Sequence, residues 1–135
     1  MDPVKVFIVD DSTHLCEMLS ELIEDPGNVI VCGTADTARQ AVDDISRTEP
    51  DIVIADLQLR EGSGFDVITA MRARNPGGAI GSPRPEPMIV LFSNHMGSEL
   101  KKRALELGAD HFLDKTSDHG RLLELIQQRA GQRSE

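Results

Sequence analysis

Short, unbroken apolar runs recur along this chain, separated by longer stretches whose apolar residues return every three or four positions. A strand with one wet face alternates apolar and polar residues, whereas a strand covered on both faces does not need to. Val4 to Val9, Val29 to Cys32, Asp51 to Ala55 (with Ile52-Val53-Ile54 at its centre) and Met88 to Phe92 therefore predict strands, and Phe112-Leu113 a brief fifth. Between them, Leu15, Met18, Leu19, Leu22 and Ile23 fall at helical spacing, as do Ala38, Ala41, Val42 and Ile45. Phe65 to Arg74 reads as a helix with Val67, Ile68 and Met71 inward, and Leu100 to Leu107 as another, closed by Gly108. Leu122, Leu123, Leu125 and Ile126 mark the last. Asp10-Asp11-Ser12 offers cap chemistry, while Asp25-Pro26-Gly27 and Glu49-Pro50 are stops. Five strand–helix units predict an α/β fold in three layers, a central five-stranded parallel sheet with helices on both faces.

The core must be mainly aliphatic, because the chain has four Phe and no Trp or Tyr. Fourteen Lys plus Arg against 23 Asp plus Glu give a formal net charge of −9, which argues against direct nucleic-acid binding. Cys16 and Cys32 have neither metal-type nor disulfide-framework spacing and read as reduced, semi-buried thiols. No basic segment followed by a long apolar stretch opens the chain, and Val6-Phe7-Ile8-Val9 is too short to span a membrane. A soluble, cytoplasmic protein without membrane insertion is expected. Residues 1–130 read as one domain, interrupted at about 75–87 by a Pro/Gly-rich insertion whose Ser82-Pro83-Arg84-Pro85-Glu86-Pro87 should be polyproline-like. It is read as a surface insertion, with a docking segment as the alternative. Residues 131–135 read as a short polar tail with no effector domain following.

Functional groups gather at the carboxyl ends of strands in such sheets. Here those ends carry Asp10-Asp11, Asp56, Ser93 and Lys115. Three acids converging on one edge repel one another, and a divalent cation relieves that conflict. Mg²⁺ suits a few carboxylates, waters and phosphate oxygens, with Asp11 and Asp56 as direct ligands and Asp10 through water or as an orienter. Lys115 would neutralise the third charge and hold a phosphate oxygen, and Ser93 could donate to another. An Asp carboxylate is a competent nucleophile toward phosphorus.

Phe7-Ile8-Val9-Asp10-Asp11-Ser12, Asp56-Leu57-Gln58-Leu59 followed by Gly64, Leu91-Phe92-Ser93, and Gly108-Ala109-Asp110-His111-Phe112-Leu113-Asp114-Lys115 resemble two-component response regulator receiver domains. The resemblance covers the whole chain apart from the Pro-rich insertion. It implies a flavodoxin-like (βα)5 fold and a phosphoacceptor rather than an enzyme, one that assists its own phosphotransfer, and with only a short polar tail after the domain a stand-alone receiver is expected. The donor would be a histidine kinase or histidine phosphotransfer protein, and the cofactor Mg²⁺ or Mn²⁺. Position by position, it implies Asp56 as acceptor, Asp10 and Asp11 as the acid pair, and the Gln58 main-chain carbonyl as a further ligand. Ser93 stands at the switch hydroxyl, Lys115 at the characteristic lysine and Phe112 at the switch aromatic. Phosphorylation would draw Ser93 in, let Phe112 turn inward, and reshape the face of the fourth helix, fifth strand and fifth helix for a downstream protein. Thr116 and Arg60 stand where many receivers have proline, so a cis bond after Lys115 is not assumed, and Asn94 stands where a small residue is usual.

Gln58 and His95, two residues beyond Asp56 and Ser93, are expected with Asn94 at the pocket rim, where they would orient or exclude attacking water. His14, His111 and His119 read as surface or helix-face residues, and Asp43-Asp44 as a solvated face. The Lys101-Lys102-Arg103 run is read the same way, with an acidic partner as its alternative. The competing functions are a phosphorylation-independent adaptor and a phosphatase of the haloacid dehalogenase type. The latter wants Asp-x-Asp after the first strand, where this chain has Ser12 two beyond Asp10. A flavin-binding flavodoxin fits less well, because acids rather than a phosphate-cradling loop end that strand.

Overall fold

The computed structural model describes residues 3–74, 87–94 and 97–133. In chain order the elements are β1 (Val4–Val9), α1 (Thr13–Ile23), β2 (Val29–Ala35), α2 (Ala38–Thr48), β3 (Ile52–Ala55), α3 (Gly64–Arg74), β4 (Met88–Ser93), α4 (Ser98–Leu107), β5 (His111–Asp114) and α5 (His119–Arg133). The five strands form one parallel sheet in the order β2-β1-β3-β4-β5. This is the expected three-layer α/β architecture. The Pro-rich segment lies outside the described residues except for Pro87.

The unbroken apolar runs are explained by what covers the sheet. Val4, Val6 and Ile8 of β1 pack with Cys16, Leu19 and Ile23 of α1 and with Leu122, Leu125 and Ile126 of α5. Phe7 and Val9 face the other way, into a cluster with α2 (Ala38, Ala41, Ile45), α3 (Val67, Ile68, Met71) and Ala104 of α4. β3 and β4 divide likewise, with Val53, Ala55, Ile89 and Leu91 on one side and Ile52, Ile54, Val90 and Phe92 on the other. Each buried apolar residue of β1, β3 and β4 thus contributes area to one of two cores, and a polar residue at such a position would cost that burial.

Two boundaries differ from the sequence reading by three residues, the others by at most two. β2 runs on from Cys32 to Ala35, because β1 continues to pair with it as far as Val9↔Ala35. As an edge strand it is only partly covered, so its second half, with exposed Thr34, lacks the apolar signal that marked the others. α5 continues to Arg133, so the segment read as tail begins as helix. No proline interrupts Ala130 to Arg133, and Ala, Gln and Arg are good helix formers that carry the helix past Gly131.

The start of α3 is where fold and pocket constrain each other. A Cβ on Gly64 would lie 2.5 Å from the Asp56 carbonyl oxygen and 2.9 Å from Leu91 Cδ2. Only glycine lets the helix begin this close to the end of β3. Gly64→Ala should therefore destabilise the fold by about 1–3 kcal/mol, read as a lowered urea midpoint. Gly120→Ala in α5, where a Cβ meets nothing within 4 Å, should leave the midpoint unchanged or slightly raised. Equal midpoints for the two variants would contradict this account.

Candidate functional site

In this strand order the connection from β1 leads to α1 on one face of the sheet, while that from β3 leads to α3 on the other. The divergence opens a crevice at the carboxyl ends of β1 and β3, the usual binding position in such folds. Its walls are fixed by the sheet. The Asp10 N–H donates to the Ala35 carbonyl at 2.9 Å, and the Asp56 N–H to the Val9 carbonyl at 2.9 Å. Ser12 caps α1 by accepting from the Leu15 N–H, while its own N–H donates to Asp10 Oδ1 at 2.9 Å. The helix cap therefore also orients the first acid.

Asp10, Asp11, Asp56, Ser93 and Lys115 are brought to this edge, as the strand ends predicted. Lys115 Nζ lies 2.7 Å from Asp10 Oδ2 and 2.8 Å from Asp56 Oδ2, so the ammonium bridges the two carboxylates. Asp10 and Asp56 are 4% and 8% exposed and Ser93 is fully buried, whereas Asp11 is exposed at the mouth. Burial pushes the Asp10 carboxyl above its ordinary range, against the opposing pull of Lys115 and the Ser12 N–H. For Lys115, burial alone would depress the ammonium, but its bonds to Asp10 and Asp56 outweigh that and hold it above the usual lysine range.

One oxygen of the acceptor candidate stands apart. Asp56 Oδ2 is held by Lys115, but Oδ1 is buried and finds no hydrogen-bond donor among the described residues. A buried carboxylate oxygen left in that state is costly. Asp10, Asp11 and Asp56 each offer an oxygen, all within 4.8 Å of one another. An oxygen-only donor set of this spacing, with one oxygen otherwise unsatisfied, fits a hard divalent cation such as Mg²⁺.

The rest of the predicted set is distributed around this centre. Gln58 is exposed on the loop after Asp56, and Asn94 is exposed after β4. His95 lies outside the described residues. Phe112 is 6% exposed and packs in the α2–α3–α4 cluster, so its ring is already inside. Arg60 pairs with Asp36 at 2.9 Å, and its N–H donates to the Asp36 carbonyl, tying the loop after Asp56 to the start of α2. Lys101, Lys102 and Arg103 are exposed, with the Arg103 guanidinium over the Phe65 ring. Both thiols are free, and burial pushes the Cys16 thiol up to about 11.

Sequence reasoning missed how Lys115 is held. No cis peptide bond occurs among the described residues. Instead, Asp114 Oδ1 accepts from the Thr116 N–H at 2.7 Å and from its hydroxyl at 2.6 Å, and the Asp114 N–H donates to Asp118 Oδ2 at 2.8 Å. The Thr116 hydroxyl bond, with the backbone bond beside it, holds the Asp114 carboxyl below its ordinary range. His119, read from sequence as a surface or helix-face residue, is half-buried with Nε2 2.5 Å from the Lys115 carbonyl. The D-K-T-S-D-H run holds the signal for this network, since Asp and Thr two or more residues apart form side-chain turns.

Comparison with known proteins agrees with this geometry. The chain is 32% identical over 117 residues to a protein-glutamate methylesterase/protein-glutamine glutaminase of Symbiobacterium thermophilum, covering 85% of this chain and 30% of that protein. A protein of the same description from Idiomarina loihiensis is 33% identical over 114 residues, with 83% and 27% covered. The chain thus spans less than a third of the length of these curated relatives. Among solved structures, a LuxR-family two-component response regulator from Aurantimonas sp. gives a TM-score of 0.81 at 27% identity, over 96% of this chain and 86% of that one. The response regulator domain of Thermotoga maritima CheB shares the fold, with a TM-score of 0.78 at 21% identity over 96% and 97%. The response regulator receiver domain model matches residues 6–127, which contain the three carboxylates, the buried hydroxyl and the bridging lysine, and the chain belongs to that family.

Proposed function

We propose that this chain accepts a phosphoryl group on Asp56 from a histidine kinase or histidine phosphotransfer protein and passes on its state by protein binding or phosphorelay. The observation that carries the reading is the division of labour at Asp56. One carboxylate oxygen is fixed by Lys115, while the other is buried and finds no donor among the described residues. Asp11 and Asp56 would hold Mg²⁺ or Mn²⁺ directly, Asp10 through water, and the Gln58 main-chain carbonyl would complete the protein's share. The cation supplies charge neutralisation on the phosphoryl oxygens.

The chain's own residues do the rest. An Asp56 oxygen forms the new O–P bond as the P–N bond to the donor imidazole breaks. The electron pair leaves with that nitrogen, which is then protonated. Lys115, already between two carboxylates, holds an equatorial phosphoryl oxygen during transfer. Ser93 offers its hydroxyl to another. Because Phe112 is already buried, the switch is read as stabilising this inward arrangement rather than creating it, and α4, β5 and α5 form the face that a target would read. Gln58, Asn94 and His95 would set how readily water reaches the acyl phosphate. The proposed setting is cytoplasmic, and no helix of the described residues is long and apolar enough to cross a membrane.

With acetyl phosphate and Mg²⁺, intact-mass measurement should show one added phosphoryl group on the wild type and none on Asp56→Asn. Lys115→Ala should slow labelling by roughly 10²-fold. An adduct that survives Asp56→Asn would overturn the assignment. No adduct on the wild type would favour the adaptor reading.

Metal binding can be tested without chemistry. Mg²⁺ at ten times its dissociation constant should stabilise the fold by about 1.4 kcal/mol, a rise in melting temperature of about 3–6 °C. Asp11→Asn removes one of three like charges, so the metal-free protein should melt higher than wild type while the Mg²⁺-dependent rise disappears. A rise that persists in this variant would remove Asp11 from the ligand set.

A further inference from the structure

We propose that His119 is a positioning residue for Lys115. Its Nε2–H holds the Lys115 carbonyl and thereby fixes where the lysine side chain leaves the loop between β5 and α5. This inference rests on the reading of Lys115 given above.

Lysine reaches its partners through a flexible four-carbon stem, so the place of its ammonium depends on how firmly its backbone is held. The Lys115 backbone is held on both sides. Its N–H donates to the Ser93 carbonyl at 3.1 Å, which ties it to the end of β4. Its carbonyl lies 2.5 Å from His119 Nε2. A carbonyl only accepts, and two lone pairs facing each other at that distance would repel, so Nε2 carries the hydrogen. The Nε2–H tautomer and the imidazolium both satisfy this contact, whereas the Nδ1–H tautomer does not.

The ring itself has a rigid support. It stands against Phe92 with centroids 5.4 Å apart and an interplanar angle of 51°, and Phe92 is fully buried between β4's neighbours and the α1–α5 layer. His119 is also the first residue of α5, whose Leu122, Leu125 and Ile126 are locked in that same core. The Asp114, Thr116 and Asp118 bonds stiffen the loop internally but tie it mainly to itself. His119 is the side chain that ties its lysine to the core. A small displacement of a reacting group costs far more in rate than in stability, so the effect belongs in the chemistry.

The test compares the full chain with His119→Phe, which keeps a ring on Phe92 and removes the donor, and His119→Gln, which restores an N–H at similar reach. Labelling by acetyl phosphate and Mg²⁺ is followed over a range of acetyl phosphate concentrations. His119→Phe should lower the maximal labelling rate roughly tenfold with half-saturation and urea midpoint little changed, and His119→Gln should recover most of the rate. Long-range ¹H–¹⁵N spectra should show His119 protonated at Nε2. A Lys115 ammonium signal should be sharp in the wild type and broadened in His119→Phe. Wild-type rates in the Phe variant, no rescue by Gln, or an Nδ1–H tautomer would each overturn the proposal. If the wild type takes no phosphoryl group, the Asp56 reading fails, and the two spectra still decide the role of His119.

Discussion

Everything at the carboxyl edge of the sheet is arranged around one ammonium group held between two carboxylates. Lys115 Nζ touches Asp10 and Asp56 at hydrogen-bond distance, with all three side chains largely withdrawn from water. Removing charges from water is expensive, and their mutual attraction offsets that cost only when each lone pair and proton is used. Here they are not all used. The ammonium touches two of the three acids, and Asp56 Oδ1 is left without a donor among the described residues. On the function proposed above, a cation on one side and phosphoryl oxygens on the other would engage these groups. In a purely structural ion pair, an orphaned oxygen of this kind would be a defect.

The fold tolerates this imbalance because it supplies rigidity elsewhere. Strands buried on both faces bring the acids and the hydroxyl to one edge through main-chain hydrogen bonds, so their positions do not depend on their own side-chain contacts. At the opposite edge the polar groups are paired. Asp51 accepts from the Lys5 N–H and its carbonyl accepts from the Met88 N–H, while Arg72 donates to the Gly108 carbonyl and pairs with Asp110. One end of the sheet is satisfied and the other poised, which is the polarity expected of a parallel α/β sheet with a site at its carboxyl end.

How much of this was legible in the sequence follows from which signals are local. The central strands were legible because burial on two faces leaves an unbroken apolar run. β2 was truncated because an edge strand is only partly covered, and its last residues pair through main chain rather than through apolar side chains. Asp10, Asp11, Asp56, Ser93 and Lys115 could be read because each ends a strand, and topology alone then places them together. His119 could not be read that way. Its role depends on an α5 start that folds back onto the Lys115 carbonyl, and on Phe92 from another strand behind the ring. Neither contact leaves a periodic trace. The unengaged Oδ1 of Asp56 is a further three-dimensional fact, invisible until every nearby donor has been placed.

The two loops that flank the pocket show how the same requirement is met in different ways. Many receivers carry a proline in each, and this chain has Arg60 in one and Thr116 in the other. The Arg60–Asp36 pair is exposed, and solvent screening leaves such pairs little to contribute. What holds that loop is main chain. The Arg60 N–H meets the Asp36 carbonyl, the Ala38 N–H meets the Glu61 carbonyl, and the Gly64 N–H meets the Leu57 carbonyl. The Lys115 loop has fewer such bonds to its surroundings and relies on side chains, with Asp114 and Asp118 bracing the turn and His119 anchoring it. Substitution of exposed side chains should therefore be well tolerated after Asp56 and poorly tolerated after Lys115, even though both loops border the same carboxylates.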